Sequence, residues 1–388
     1  MHRMSLALSL VALTSQGCQI EIGGAGVTSA AVRIQEEATR SETHALELSP
    51  SDVLTLVTSY GAIEVESGDG PAELRATLRA HGRTEEEAQA VLERYHVGVE
   101  RGPSGPRAEL VGEPLVVHSG SSHMELSASV DFVAHVPAGT RLDARSESGN
   151  LTTRGALGSL ALETGYGAIH VEEARGDVRA KSGSGDIQVA RIEDEGGEVV
   201  LASNYGAVHV RASRARRLSC KSGSGDLRLD DASTEELELA TQYGAILVEH
   251  AGGAVRAISG SGDVRVRGAK GAVVARSNYG AIAVEGELAS LEAVSGSGDV
   301  HVTAQAGIRV DPQWRLESSY GQVVLSVPAD FACALDARTD YGTVECAFPL
   351  TLEPGKRRGN SALKGTIGAG GGAVTLVSGS GDVVLKKL

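Results

Sequence analysis

Ser203-Asn204-Tyr205-Gly206-Ala207-Val208-His209-Val210 and Ser222-Gly223-Ser224-Gly225-Asp226-Leu227-Arg228-Leu229 are two spellings of one motif. Each reads Ser or Thr, any residue, Tyr or Ser, Gly, Ala or Asp, and then apolar residues at alternate positions. The Ser-Gly-Ser-Gly-Asp form recurs at 182–186, 222–226, 259–263, 295–299 and 378–382. The Tyr-Gly form recurs at Tyr60, Tyr166, Tyr205, Tyr243, Tyr279, Tyr320 and Tyr341, which is all but one of the eight tyrosines. From Tyr166 to Asp299 the two forms strictly alternate, at Asp186, Tyr205, Asp226, Tyr243, Asp263 and Tyr279. A self-similar unit at a near-fixed spacing is the mark of a repeat architecture.

The apolar parity is constant on both sides of the motif. After the Gly come Ile187/Val189, Val208/Val210, Leu227/Leu229 and Ile246/Val248; before it come Val199/Leu201, Leu218/Cys220 and Leu237/Leu239. Period-2 alternation describes a strand with one buried face. Each unit is therefore two short strands bent at a Gly, and no single unit can bury its apolar face alone. Stacking such coils about 4.8 Å apart closes one continuous core. The expected fold is all-β: a right-handed parallel β-solenoid (β-helix) with coils of about 20 residues.

Two further expectations follow. A bend between strands calls for positive φ, which Gly supplies without steric cost. Carboxylates on every coil would stack at the inter-strand spacing and repel, whereas Asp on every second coil stands about 9.6 Å from the next. The pattern thus places a Tyr row and an Asp row at one corner: Tyr166, Tyr205, Tyr243, Tyr279, Tyr320 and Tyr341 with Asp186, Asp226, Asp263, Asp299 and Asp382.

Composition agrees. Among 388 residues there are 50 Gly but only 8 Tyr, 3 Phe and 1 Trp, and 41% are hydrophobic. That is too apolar for a disordered chain, and the Gly content without a strict three-residue period is not collagen. A net charge of −14 argues against a nucleic-acid partner, which needs a positive footprint.

The N-terminus reads as an export signal. Met4–Leu13 is apolar, and Thr14-Ser15-Gln16-Gly17 leads into Cys18. The expected organisation is a signal peptide at 1–17, a lipid-anchor tether at 18–43, an N-terminal β cap at 44–144, and solenoid repeats at 145–388. The cap would hold an early coil at Tyr60–Val65 and one short helix, Ala88–Tyr95, behind a Thr84…Glu87 capping box. An inserted loop is expected near 347–371, where prolines, basic residues and glycines break the rhythm. Lys386 and Lys387 would guard the terminal edge against strand addition.

Cys18 at this place resembles the lipidated cysteine of bacterial lipoproteins. Gln19 is not the Asp that favours inner-membrane retention in those proteins, so the resemblance implies an outer-membrane lipoprotein. The phrase Val136-Pro137-Ala138-Gly139-Thr140-Arg141-Leu142, the helical segment Arg83–Leu92, the tandem coils, and the ending Gly365–Gly368 with Ser378–Leu385 resemble the bacterial "putative adhesin" family of unknown function. The resemblance covers about 44–388 and implies an exported or envelope-attached β-solenoid. It carries no catalytic residues, and the strict Tyr/Asp alternation departs from that family, where Asn-Gly is commoner.

The remaining constellations read as structural. The Asp row is too widely spaced to share a Ca²⁺ ion at about 2.4 Å. It is also too even for a single glycosidase pair. His170, His209 and His301 share one outward position but stand two or more coils apart, so they do not converge on zinc. Arg175-Gly176-Asp177 reads as a turn. Cys333 and Cys346 flank the Tyr341 bend with inward parity, a possible disulfide, with two buried thiols as the alternative. No metal or cofactor is implied. The expected function is a non-catalytic, envelope-attached adhesin-like or scaffold lipoprotein whose solenoid surface binds a protein or a glycan. The alternatives are a polysaccharide-active β-helix enzyme and a self-assembling envelope structural protein. Oligomeric state stays open.

Overall fold

The computed structural model describes residues 36–119, 122–305, 313–352 and 361–388. The expected signal at 1–17, Cys18 and the expected tether up to residue 35 lie outside the described residues. The chain divides into two compact units, Met1–Gly167 and Ala168–Leu388. It is a parallel β-solenoid, 68% strand, with one helix among the described residues.

In the first unit the coil Val53–Tyr60/Ile63–Ser67 is followed in space by Arg141–Ser148/Leu151–Arg154. The register pairs Leu54 with Leu142 and Ile63 with Leu151. Leu160–Thr164 stacks next, with Leu142 opposite Leu160. The residues between Ser67 and Arg141 return over the first coil. Ala128–Val136 lies parallel beside Ile63–Ser67, and Gly105–Gly112 beside Val53–Tyr60, so both of its outer edges are covered. A solenoid end left open would expose apolar surface and unpaired backbone, which this cap removes.

The helix runs Glu85–Glu93 and buries Ala88, Val91 and Leu92. Thr84 caps it by accepting the Glu87 N–H at 3.3 Å. The Glu87 carboxylate does not return to the cap residue itself. It accepts the Arg83 N–H at 3.0 Å and pairs with the Arg83 guanidinium. One expectation is corrected here. Residues 36–43, read as tether, belong to the strand Glu36–Ala45, antiparallel to Glu73–Gly82 over its whole length.

In the second unit two columns of apolar side chains form the core. One runs Val208, Leu227, Ile246, Val264, Ile282, Val300 and Val323. The other runs Leu218, Leu237, Val255, Val273, Leu291 and Trp314. All are buried, and each such side chain contributes about 1.5–3 kcal/mol by leaving water.

Beyond Val323 the stack abandons sequence order. The neighbour of Val323–Val327 is Val383–Lys387, and only beyond that strand comes Val344–Cys346. Gln313–Ser318 likewise pairs with Ala373–Ser378, which pairs in turn with Cys333–Thr339. Residues 373–387 thus form a coil inserted between two coils that precede them in sequence. Two expectations change. Lys386 and Lys387 do not end the stack: their strand lies between two others, although Val344–Cys346 pairs only as far as Leu385, so the two lysines pair on one side, with Ser326 and Val327. The segment near 347–371 is not all loop: Leu350–Leu352 and Ala362–Ile367 pair antiparallel, and Ala362–Ile367 also covers Cys333–Thr339. Residues 353–360 lie outside the described set.

Gly61 at the Tyr60 corner holds the expected positive φ (133°), but the reason for the second unit's corner glycines changes. Neither Gly206 nor Gly280 has a left-handed φ. What excludes a side chain is the neighbouring coil: a Cβ on Gly206 would overlap the Gly185 carbonyl, and one on Gly280 the Gly262 carbonyl. Left-handed backbone appears instead at a second corner, on Arg191 (φ 54°), Ala212 (48°), Asp231 (58°) and His250 (58°).

Candidate functional site

The site is the Gly corner of the second unit, built from three interlocking columns. The innermost column is a ladder of buried hydroxyls. Ser203 Oγ accepts the Gly206 N–H of its own coil at 2.9 Å and donates to the Gly185 carbonyl of the preceding coil at 3.0 Å. Ser222, Thr241, Ser259, Ser277, Ser295 and Ser318 repeat both bonds. Each hydroxyl satisfies one buried and one part-buried backbone group, which otherwise would be left unpaired.

The second column is aspartate. Asp186 Oδ1 accepts the Ala207 N–H at 2.8 Å, Asp226 the Ala245 N–H at 2.8 Å, and Asp263 the Ala281 N–H at 2.9 Å. Asp299 accepts from Gln322 N at 2.8 Å. Asp382 takes both the N–H of Thr343 at 2.8 Å and its hydroxyl at 2.9 Å. Every Asp coil therefore reaches forward to the next Tyr coil. The alternation serves a hydrogen bond as well as charge separation.

The third column is tyrosine, and it faces water. Tyr205 is 70% exposed, Tyr243 67%, Tyr279 70%, Tyr320 72% and Tyr341 81%. Exposed Asn204, Gln242, Asn278, Ser319 and Asp340 precede these rings. On the intervening coils exposed Ser224, Ser261, Ser297 and Ser380 hold the tyrosine position. The spatial order is Asp186, Tyr205, Asp226, Tyr243, Asp263, Tyr279, Asp299, Tyr320, Asp382, Tyr341. In sequence Tyr341 follows Tyr320 directly. The inserted coil sets Asp382 between them and restores the alternation. In the first unit Tyr166 (77% exposed) and Tyr60 (57%) stand at the same motif position. There Asp131 accepts the Ala62 N–H at 2.8 Å as the corner aspartates do. Asp131 has no Gly motif around it, so its sequence carried no signal.

The other candidates take up structural positions. His209 Nε2 lies 2.9 Å from Asp230. Asp177 accepts the Glu198 N–H at 2.8 Å, which ties down the Arg-Gly-Asp turn. Among the described residues no three His, Cys, Asp or Glu side chains form a group that could hold a metal ion. Cys220 and Cys333 are free thiols. Burial, aided by the nearby Cys346, pushes the Cys333 thiol up to about 12. Cys346 is only half-buried, because among the described residues Val344–Cys346 has a single neighbouring strand. A shallow groove of about 480 Å³ follows the second corner past Arg214, Ser233, His250 and Lys270.

Coils of this type define a family. The Toastrack DUF4097 model matches residues 175–386. The chain belongs to that family. The Toastrack span holds the tandem coils and the ending that carried the resemblance; Val136–Leu142 and the helix lie outside it. No curated protein matches the chain. Solved structures similar to it include a "putative cell adhesion protein" from Clostridium sporogenes, at 9% identity over 90% of this chain and 100% of that one, TM-score 0.19. A "putative adhesin" from Parabacteroides distasonis shares 11% identity over 89% and 96%, TM-score 0.29. Another from Bacteroides fragilis shares 12% over 90% and 97%, TM-score 0.24. Scores that low describe no common superposition.

Proposed function

We propose that this Toastrack chain is a non-catalytic, adhesin-like surface protein of the bacterial envelope that binds its partner through the tyrosine corner. Export by the N-terminal signal and attachment through lipidated Cys18 belong to the same reading. The observation that carries it is the exposed row itself. A tyrosine ring is a large apolar surface with a polar tip, suited to contacts, and five of them stand in water at one repeated position. Nothing in the coil demands them there, because serine fills the same position on the alternate coils. An even row of this kind suits a long partner better than it suits catalysis, which concentrates dissimilar groups at one place.

The test is capture on isolated bacterial envelope fractions by the mature chain and by a variant with Tyr205, Tyr243, Tyr279 and Tyr320 all changed to Ser. Capture by the parent and loss by a normally folded variant is the expected result. Equal capture by both would remove the corner from the function. Fractionation with and without Cys18→Ser tests the anchor: the variant should leave the membrane fraction.

A further inference from the structure

We infer that the tyrosine row takes an extended, neutral β-1,4-linked polysaccharide, laid along the stack with one disaccharide per pair of coils. This rests on the surface-binding reading above and names its ligand class. Three features of the corner select that occupant.

The first is spacing. Tyrosines on alternate coils recur every two inter-strand steps, about 9.6 Å. A ligand that stacks on several rings must present the same face at that interval. A ribbon-like β-1,4-linked glycan turns each sugar over relative to the last, so equivalent faces return every second sugar, close to this distance. An extended peptide returns a side chain to the same face every two residues, about 6.7 Å, and falls out of step within one repeat.

The second is the polar groups beside each ring. A pyranose offers an apolar C–H face to an aromatic plane and a rim of hydroxyls that both donate and accept. Asn204, Gln242 and Asn278 stand next to their tyrosines and can do both. Asp226, Asp263 and Asp299 use Oδ1 on the next coil's amide, which leaves Oδ2 at the surface as an acceptor. This acceptor separates the glycan from its nearest rival. A polyproline II segment repeats every three residues, about 9.3 Å, and also docks on aromatic rows. Its prolines carry no N–H, so each carboxylate it covered would lose water and gain no donor. Sugar hydroxyls supply that donor at every repeat.

The third is charge. The row is acidic and the chain carries a net −14. A polyanionic glycan would meet like charge along its whole length, whereas a neutral chain would not.

The experiment uses the mature full chain against cellulose and chitin beads, with dextran as a flexible α-linked control and poly-L-proline as the competing helix. Titrations with cello- and chito-oligosaccharides of two to six sugars measure the length dependence. The expected result is retention on a β-1,4-linked matrix but not on dextran. Affinity should rise at least about tenfold from disaccharide to hexasaccharide as further tyrosines engage. Binding should be lost in the fourfold Tyr→Ser variant with unchanged circular dichroism and Tm. Retention on neither matrix, equal binding by the variant, or binding of poly-L-proline in place of glycan each overturns the inference. Envelope capture separates the two readings. If capture needs the tyrosines but is abolished by protease treatment of the envelope and not by glycan competition, the ligand is protein. The surface-binding reading then stands without this one.

Discussion

The Asp382 carboxylate accepts both the N–H and the hydroxyl of Thr343, a residue earlier in the sequence but one coil further along the stack. Two donors stabilise the charged form and hold the Asp382 carboxyl below its ordinary value of 3.8. A carboxyl with a lowered folded pKa contributes stability above its unfolded pKa and loses it as the pH falls through the folded one. The coil 333–346 should therefore loosen in acid, below about pH 4. Amide exchange should show its opening free energy dropping there. Asp382→Ala should show the same local loss at neutral pH, with no further fall in acid.

Gly206 and Gly280 face carbonyl oxygens of the preceding coil, so even one methyl group is too large. Gly206→Ala and Gly280→Ala should each destabilise by at least about 1–3 kcal/mol, the range for forced overpacking. Gly196 is the control, because a Cβ there meets nothing closer than 3.7 Å. Thermal melts of the three variants should rank Gly196→Ala near the parent and the other two well below it. Equal melting would mean that the coils can separate at the corner at no cost.

Ser277 joins the Gly280 N–H to the Gly262 carbonyl. Ser277→Ala leaves the buried Gly280 N–H and the part-buried Gly262 carbonyl unpaired and should cost about 1–3 kcal/mol. Ser277→Thr should restore most of it, since Thr241 makes the same two bonds in this stack. Urea midpoints of the pair decide the matter. A threonine variant as weak as the alanine one would show that the position is lost through packing.

Ala212 holds a left-handed φ of 48° on a side-chain-bearing residue. Relief of that strain is worth about 1–2 kcal/mol and glycine's added chain entropy takes back about 0.5–1. Ala212→Gly should then raise stability by up to about 1.5 kcal/mol, the opposite sign from Gly206→Ala. The contrast is a direct test of which corner is strained.

The strands, their inward parity and the two alternating corner residues were legible because they repeat. A period-2 pattern copied many times leaves few other ways to bury Val208, Leu227 and Ile246. What sequence reading missed depends on atoms from a different coil. The Ser203 hydroxyl and Gly206 are visible as a spacing, but the Gly185 carbonyl that fixes both roles is not. The same limit hid the left-handed corner. Arg191, Ala212, Asp231 and His250 share no residue type, and only their backbone is alike. The inserted coil was hidden most deeply, because chain order is what a linear reading assumes. Its one trace was Tyr341 following Tyr320 with no Ser-Gly-Ser-Gly-Asp motif between them.

That trace bears on how the molecule is made. Chain leaves the ribosome or an export channel from its N-terminal end, so coils from Asp186 to Tyr320 can zip up one after another, each on a finished template. Residues 333–346 emerge next and find no template, since the surface they need is supplied by residues 373–387. Until then residues 333–339 can pair only with Ala362–Ile367, while 344–346 wait unpaired or dock on the wrong coil and are displaced. The closing stage of folding is thus concerted and late, and a nascent chain halted before residue 373 would carry a sticky, unfinished tip.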